Sequence, residues 1–274
     1  MYLDHWGLEE RPFQNAYNPA YLYRWDGHEE VISRLRYNLD GERGFVLITG
    51  PTGCGKTFLC RTFAEAAAGK GARVCLIANP IDDPDEIFHQ IRAGLGVDGT
   101  VTSRADLIRS IEETAANSYR NRQQTIVIID DAHLLSHRSI HRELRQLLNL
   151  EEQGCRLISL VLAGQDVLED SVDESPEIAQ RIAIRARAEA LPAAKVGEYI
   201  KHRLAVAGLA RSPFKKNALD EIARVTGGVP RTINDLCDVA LFSGWGQKKK
   251  EIGKKDIDEA VGDIISVDRK RNAG

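Results

Sequence analysis

Eight residues, Gly-Pro-Thr-Gly-Cys-Gly-Lys-Thr at positions 50–57, stand between an unbroken apolar run at 45–49 (FVLIT) and an alanine-rich stretch at 57–68. The run is short and free of polar side chains inside, which predicts a strand buried on both faces. The stretch that follows predicts a helix. The segment between them satisfies G-x-x-x-x-G-K-[ST] in the strand–loop–helix setting that gives the motif its meaning. Glycines let such a loop curl until successive N–H groups point inward around an anion, and the helix beginning near Lys56 adds the positive end of its dipole. Gly50, Pro51, Thr52, Gly53, Cys54, Gly55, Lys56, Thr57 and Phe58 are therefore expected to surround the phosphates of a nucleoside triphosphate. Lys56 would neutralise charge on the β and γ phosphates, and the Thr57 hydroxyl would bind Mg²⁺.

The buried-strand signal returns at 73–79 (RVCLIAN), 125–131 (TIVIIDD) and 157–164 (LISLVLAG), and helical patterns fill the intervals. These helices are expected at 57–68, at 84–95 with acids in the first turn, at 103–119 behind a Ser103 cap, and at 139–152. Another is expected near 27–39, where Val31, Ile32, Leu35 and Leu39 share a face. Buried strands alternating with helices define an α/β fold with a parallel sheet covered on both faces. After Leu191-Pro192 the pattern is helical throughout, with helices expected at 196–207, 216–225, 230–242 and 256–264. Two domains follow, residues 1–191 and 192–274. Residues 1–30 are aromatic and turn-rich (Tyr2, Trp6, Phe13, Tyr17, Tyr21, Tyr23, Trp25, with Pro12 and Pro19) and are expected to lie across a larger body by their rings.

Composition narrows the partners. Thirty-seven Lys and Arg against forty Asp and Glu leave a net charge of −3, so nucleic acid could be held only by a local patch. Two stretches offer one: residues 133–148, with Arg138, Arg142 and Arg145, and the lysine-rich 248–255. A solvated surface is the competing reading of both. The five cysteines are odd in number and contain no C-x-x-C, and are expected to be reduced and mostly buried. The first residues lack the basic start and apolar stretch of a signal peptide, and no apolar run approaches the ~20 residues that cross a bilayer. A soluble, cytoplasmic protein is expected.

Asp130 and Asp131 end the strand at 125–131, where the carboxyl edge of a parallel sheet meets its ligands. Asp130 can hold the water shell of Mg²⁺, and Asp131 can orient or deprotonate an attacking water. Capping of the next helix is the other role open to them. Asp131 is a methylene shorter than glutamate, which points to slow hydrolysis or a switch-like use of ATP. Gln165 follows the strand at 157–164, where an amide can bridge water and γ-phosphate. Arg181, Arg185 and Arg187 are candidate arginine fingers for a neighbouring subunit's nucleotide, at least one of them being a plain surface arginine. Arg231 opens a helix, a poor place for a cation unless a γ-phosphate is its partner. His133, His137 and His141 have i, i+4 spacing, but the residues between do not complete a zinc site.

GPTGCGKT, TIVIIDDAH, LAGQ, QRIAIR and GGVPRTIN occur in an order that resembles the AAA+ ATPases. The opening MYLDHWGLEERPF, then NPAYLY and a G-H-x-E helix, resembles the ExeA group, the general secretion pathway protein A ATPases. The resemblance covers nearly the whole chain. It implies a P-loop AAA+ fold with a five-stranded parallel sheet flanked by helices, a small all-helical lid, and ATP bound between them, with the aromatic N-terminal segment near the adenine. It also implies Lys56 and Thr57 as Walker A, Asp130 and Asp131 as Walker B, Gln165 as sensor 1, Arg231 as sensor 2, and Arg181, then Arg185, as the finger. The function so implied is an oligomeric ATPase, a ring or filament, that drives assembly or remodelling of a secretion-type partner complex. Secretion-type members continue into a membrane span and a cell-wall-binding portion, and neither is legible in these residues. The alternative is a relative of the TnsC and MuB transposition regulators, which assemble on DNA with ATP and recruit a transposase.

Overall fold

A computed structural model describes residues 2–40, 44–135 and 137–271, with 38–40, 137–142 and 266–271 described as backbone only. In chain order the helices are α1 (Tyr2–Trp6), α2 (Asp26–Asp40), α3 (Lys56–Gly69), α4 (Pro84–Gly94), α5 (Arg104–Arg120), α6 (His137–Leu148), α7 (Val167–Asp173), α8 (Pro176–Ala179), α9 (Ala193–Val206), α10 (Lys216–Thr226), α11 (Pro230–Gly246) and α12 (Lys254–Arg271). The strands are β1 (Phe45–Thr49), β2 (Arg73–Ile77), β3 (Thr125–Ile129), β4 (Glu151–Glu152), β5 (Cys155–Arg156), β6 (Ile158–Ala163) and β7 (Ile184–Arg187). They fall into two compact units, one of residues 26–189 and one of residues 1–25 with 190–274.

The first unit is built on a five-stranded sheet in the order β2-β3-β6-β1-β7, every pairing parallel. Phe45 lies opposite Leu160, Val46 opposite Ile184, and Thr125 opposite both Arg73 and Ile158. All residues of β1 and β3 are buried, as their unbroken apolar runs require, and each such Ile or Leu contributes about 1.5–3 kcal/mol. The helices start where side chains can satisfy their first N–H groups. Asp83 accepts from the N–H of Asp85 and of Glu86, 2.9 Å each, and Ser103 accepts from Asp106 at 3.1 Å. The buried carboxylate of Glu143 on α6 is paired with Arg104 of α5, which also holds Asp85 of α4.

Two strand assignments go beyond the periodicity reading. Residues 184–187 form β7, and the end of the helix expected at 139–152 is instead the β4–β5 hairpin, the helix stopping at Leu148. β7 reads poorly because an edge strand with arginines on alternate positions has no continuous apolar run. The free cysteines are Cys54, Cys60, Cys75, Cys155 and Cys237, all buried except the half-buried Cys155.

The second unit packs α9–α12 around a separate core that includes Tyr2, Trp6, Leu8, Phe13 and Trp25. Here the division differs from the expected 1–191 and 192–274, because residues 1–25 pack within the helical unit. The Trp6 indole donates to Leu241 O at 3.0 Å, the Glu9 N–H to Ala207 O at 2.9 Å, and the Tyr2 hydroxyl to Asp238 at 3.0 Å. Arg203 is the deepest tie: it donates to Pro12 O at 2.5 Å and Gln14 O at 2.9 Å, and its guanidinium lies over the Tyr21 ring at 4.6 Å. Among the described residues no helix is long and apolar enough to cross a membrane.

Candidate nucleotide-binding site

Because the sheet is parallel, every strand ends on one edge, and the loop at 50–55, Asp130, Gln165 and Arg187 all follow or close strands there. The loop passes close under the end of β7: a Cβ on Gly50 would stand 2.1 Å from Ala188 O. Gly50, Gly53 and Gly55 all have φ between 84° and 147°, values open to glycine and costly for other residues. Gly55 is the left-handed residue from which α3 begins. The loop is braced from outside by His28 of α2, whose Nε2 lies 3.2 Å from Cys54 O. Cys54 itself is buried, and burial pushes its thiol up, away from the reactive thiolate.

Lys56 is only 6% exposed. Its ammonium lies inside the curl and donates to Gly50 O at 2.7 Å and Pro51 O at 2.8 Å. Burial lowers its pKa; among the charges that oppose this are Asp131 and Asp130. Asp130, 2% exposed, is anchored by its own N–H to Ile77 O at 2.8 Å. Burial raises its carboxyl, and a hydrogen bond from the Thr57 hydroxyl opposes that rise. That bond joins the first turn of α3 to the tip of β3, across the width of β6. Thr57 and Asp130 thus bring two hard oxygen donors together, the donor chemistry that suits Mg²⁺.

Asp131 has a left-handed backbone (φ 49°, ψ 34°), and its N–H donates to Asp130 Oδ1 at 3.0 Å. Its carboxylate is 45% exposed, with Oδ1 3.9 Å from His133 Nδ1. Gln165 is exposed, and its Nε2 lies 2.9 Å from His133 Nε2. The three arginines differ. Arg185 is held by Glu169 at 3.1 Å and by Asp173, and Arg187 is bidentate on Asp166 at 2.8 and 2.9 Å. Arg181 is half-buried and donates to Leu148 O at 3.2 Å. Arg231 belongs to the helical unit, exposed at the second residue of α11, and its charge opposes the rise that burial imposes on the Asp235 carboxyl. In the two basic stretches, Arg145 is paired with Glu177 at 2.5 Å, Lys254 with Glu221 at 2.7 Å, and Lys249 with Asp256. The side chains of His137, Arg138, His141 and Arg142 lie outside the described residues.

His28 and His133 are side chains at this site to which the sequence patterns assigned no role in it. The G-H-x-E signal was available for the first. The second offers sequence reading only a metal-like spacing.

A glycine loop wrapped around a buried lysine, with a hydroxyl and a carboxylate joined beside it, defines a P-loop nucleotide-binding protein. The family model for the AAA domain matches residues 39–172, and the five-stranded parallel sheet flanked by helices is the P-loop AAA+ fold. It is similar to General secretion pathway protein A of Aeromonas hydrophila, 32% identical over 273 residues and 97% of this chain. The chain spans about half, 49%, of that relative's length. In fold it is similar to Cdc6p of Pyrobaculum aerophilum (TM-score 0.74, 18% identity, 92% of this chain and 70% of that one). It is likewise similar to the ORC2 protein of Aeropyrum pernix in ADPNP–ADP complexes (TM-score 0.70, 18% identity, 93% and 71%).

Proposed function

We propose that this AAA+ protein binds ATP with Mg²⁺, hydrolyses it in an oligomeric assembly, and uses the cycle to assemble or remodel a partner complex of the secretion type. The observation that carries the reading is the buried Lys56 ammonium inside its loop, next to the Thr57–Asp130 pair. With ATP in the loop, the Lys56 ammonium exchanges its two carbonyl partners for β- and γ-phosphate oxygens, a charge-assisted and therefore stronger contact. The inward N–H groups of the loop hold the β-phosphate. Thr57 and Asp130 are the residues that would hold Mg²⁺, which when bound neutralises charge on the phosphate oxygens. Asp131 takes a proton from the attacking water, whose oxygen joins the γ-phosphorus as the bond to ADP breaks, and the Gln165 amide orients that water. Arg181 is the finger offered to a neighbouring subunit, since carboxylates of its own unit already hold Arg185 and Arg187. Arg231 is the second sensor.

The secretion-type partner rests on the likeness to General secretion pathway protein A, which runs along 97% of this chain. Calorimetry of Lys56→Ala with ATP tests the site. Affinity is expected to fall at least tenfold, about 1.4 kcal/mol, and undiminished binding would remove the assignment. Turnover with and without duplex DNA tests the partner. Salt-sensitive stimulation by DNA would favour the transposition-regulator alternative over the secretion reading.

A further inference from the structure

The turn at 132–134 puts a histidine between two residues of the proposed hydrolytic apparatus that come from different strands. His133 follows β3 and Gln165 follows β6, its neighbour in the sheet. Gly164 permits the approach, because a Cβ there would stand 3.2 Å from the His133 main-chain nitrogen and 2.7 Å from Leu168 Cδ2. The imidazole is 11% exposed, and its Nδ1 is buried with no hydrogen-bond partner. A buried polar atom in that condition is costly. Its geometry is informative as well: Gln165 presents its NH₂ to Nε2 at 2.9 Å, so Nε2 accepts and the ring proton resides on Nδ1. That proton faces Asp131, whose Oδ1 is 3.9 Å away. This is beyond a hydrogen bond, yet within reach of a half-exposed carboxylate that turns about its own side-chain bonds.

We propose that His133 is a positioning residue that ties the Gln165 amide to the Asp131 carboxylate, so that the two groups addressing the attacking water hold one fixed separation. The inference rests on the hydrolytic reading of the site. An exposed glutamine on a loop samples several rotamers, and each rotamer other than the one held by the ring leaves the water without its orienting amide. The histidine touches neither phosphate nor water. Its effect reaches the reaction through its two neighbours.

The test uses the full chain with ATP and Mg²⁺. His133→Leu removes both ring nitrogens, whereas His133→Gln returns an amide oxygen close to the position of Nε2. Supporting groups of this kind change rates by roughly 10- to 100-fold. His133→Leu is therefore expected to lower kcat about tenfold or more while ATP affinity and KM stay within about twofold, and His133→Gln is expected to recover most of the loss. In a double-mutant cycle His133→Leu and Gln165→Ala should be non-additive, the double variant no slower than the slower single one. Should His133→Leu lose its fold, His133→Asn, which keeps a polar group near Nδ1 and none near Nε2, gives the same contrast with His133→Gln. Wild-type turnover in His133→Leu, equal rates for His133→Leu and His133→Gln, or losses that multiply in the double variant would overturn the proposal. Undiminished ATP binding in Lys56→Ala marks failure of the nucleotide-site assignment itself. With Lys56→Ala behaving as expected, a wild-type His133→Leu removes the positioning role alone.

Discussion

Asp131 holds a left-handed backbone that few side chains other than Asn and Asp accept readily, and it does so with its N–H donating to the carboxylate before it. Asp131→Asn keeps that backbone preference and the shape of the side chain but gives up the negative charge. The variant is expected to retain ATP affinity and to hydrolyse ATP about 100-fold more slowly or worse, as single-turnover phosphate release would register. Turnover at the wild-type rate would mean that Asp131 does not take the proton. At this scale the sequence is legible wherever a residue's chemistry is set by its immediate neighbours: Lys56 and Thr57 are named by their own loop, and Asp130 by the strand it ends. It is opaque where chemistry depends on a residue far along the chain. Gln165, the partner of His133, is 32 positions on, and only the pairing of β3 with β6 makes the two adjacent.

Elements were legible in proportion to their burial. β1 and β3 announce themselves because both faces are covered and no polar residue interrupts them, whereas β7 at the sheet edge mixes Ile184 and Ala186 with Arg185 and Arg187. The N-terminal segment has no periodicity at all, so its aromatic content signals packing without saying against what. The answer lies in α9, where Arg203 holds two main-chain carbonyls of that segment and stacks on Tyr21. Arg203→Ala leaves the buried Pro12 carbonyl without its donor and frees the part-buried Gln14 carbonyl, a loss of about 1–3 kcal/mol, to be measured by urea unfolding. Limited proteolysis should cut the variant faster within residues 10–16 than wild type. Equal cleavage rates would show that the remaining contacts hold the segment by themselves.

For the whole molecule, a net charge of −3 is silent about assembly, and the case for an oligomer lies in arginine bookkeeping. Two of the three arginines near β7 are neutralised by carboxylates of their own unit, which is why Arg181 is the one proposed as the finger. Arg181→Ala is expected to bind ATP as wild type does and to show slower turnover only at protein concentrations where sedimentation velocity finds assemblies. A wild-type protein that stays monomeric in ATP at every concentration would remove the basis for a finger supplied by another subunit. The two cores are separate sets of residues, yet the sequence order of the units is not simple: the helical one owns the first 25 residues and everything from Ala190 onward. On the ribosome, the sheet-bearing unit can close as soon as Glu189 has emerged. Trp6, Phe13 and their neighbours must wait for the helices between Ala193 and Arg271, and at about 5–20 residues per second that delay is roughly 4 to 16 s. Throughout that interval the aromatic segment is exposed beside a finished sheet-bearing unit, which makes it a stretch of the nascent chain in need of a chaperone.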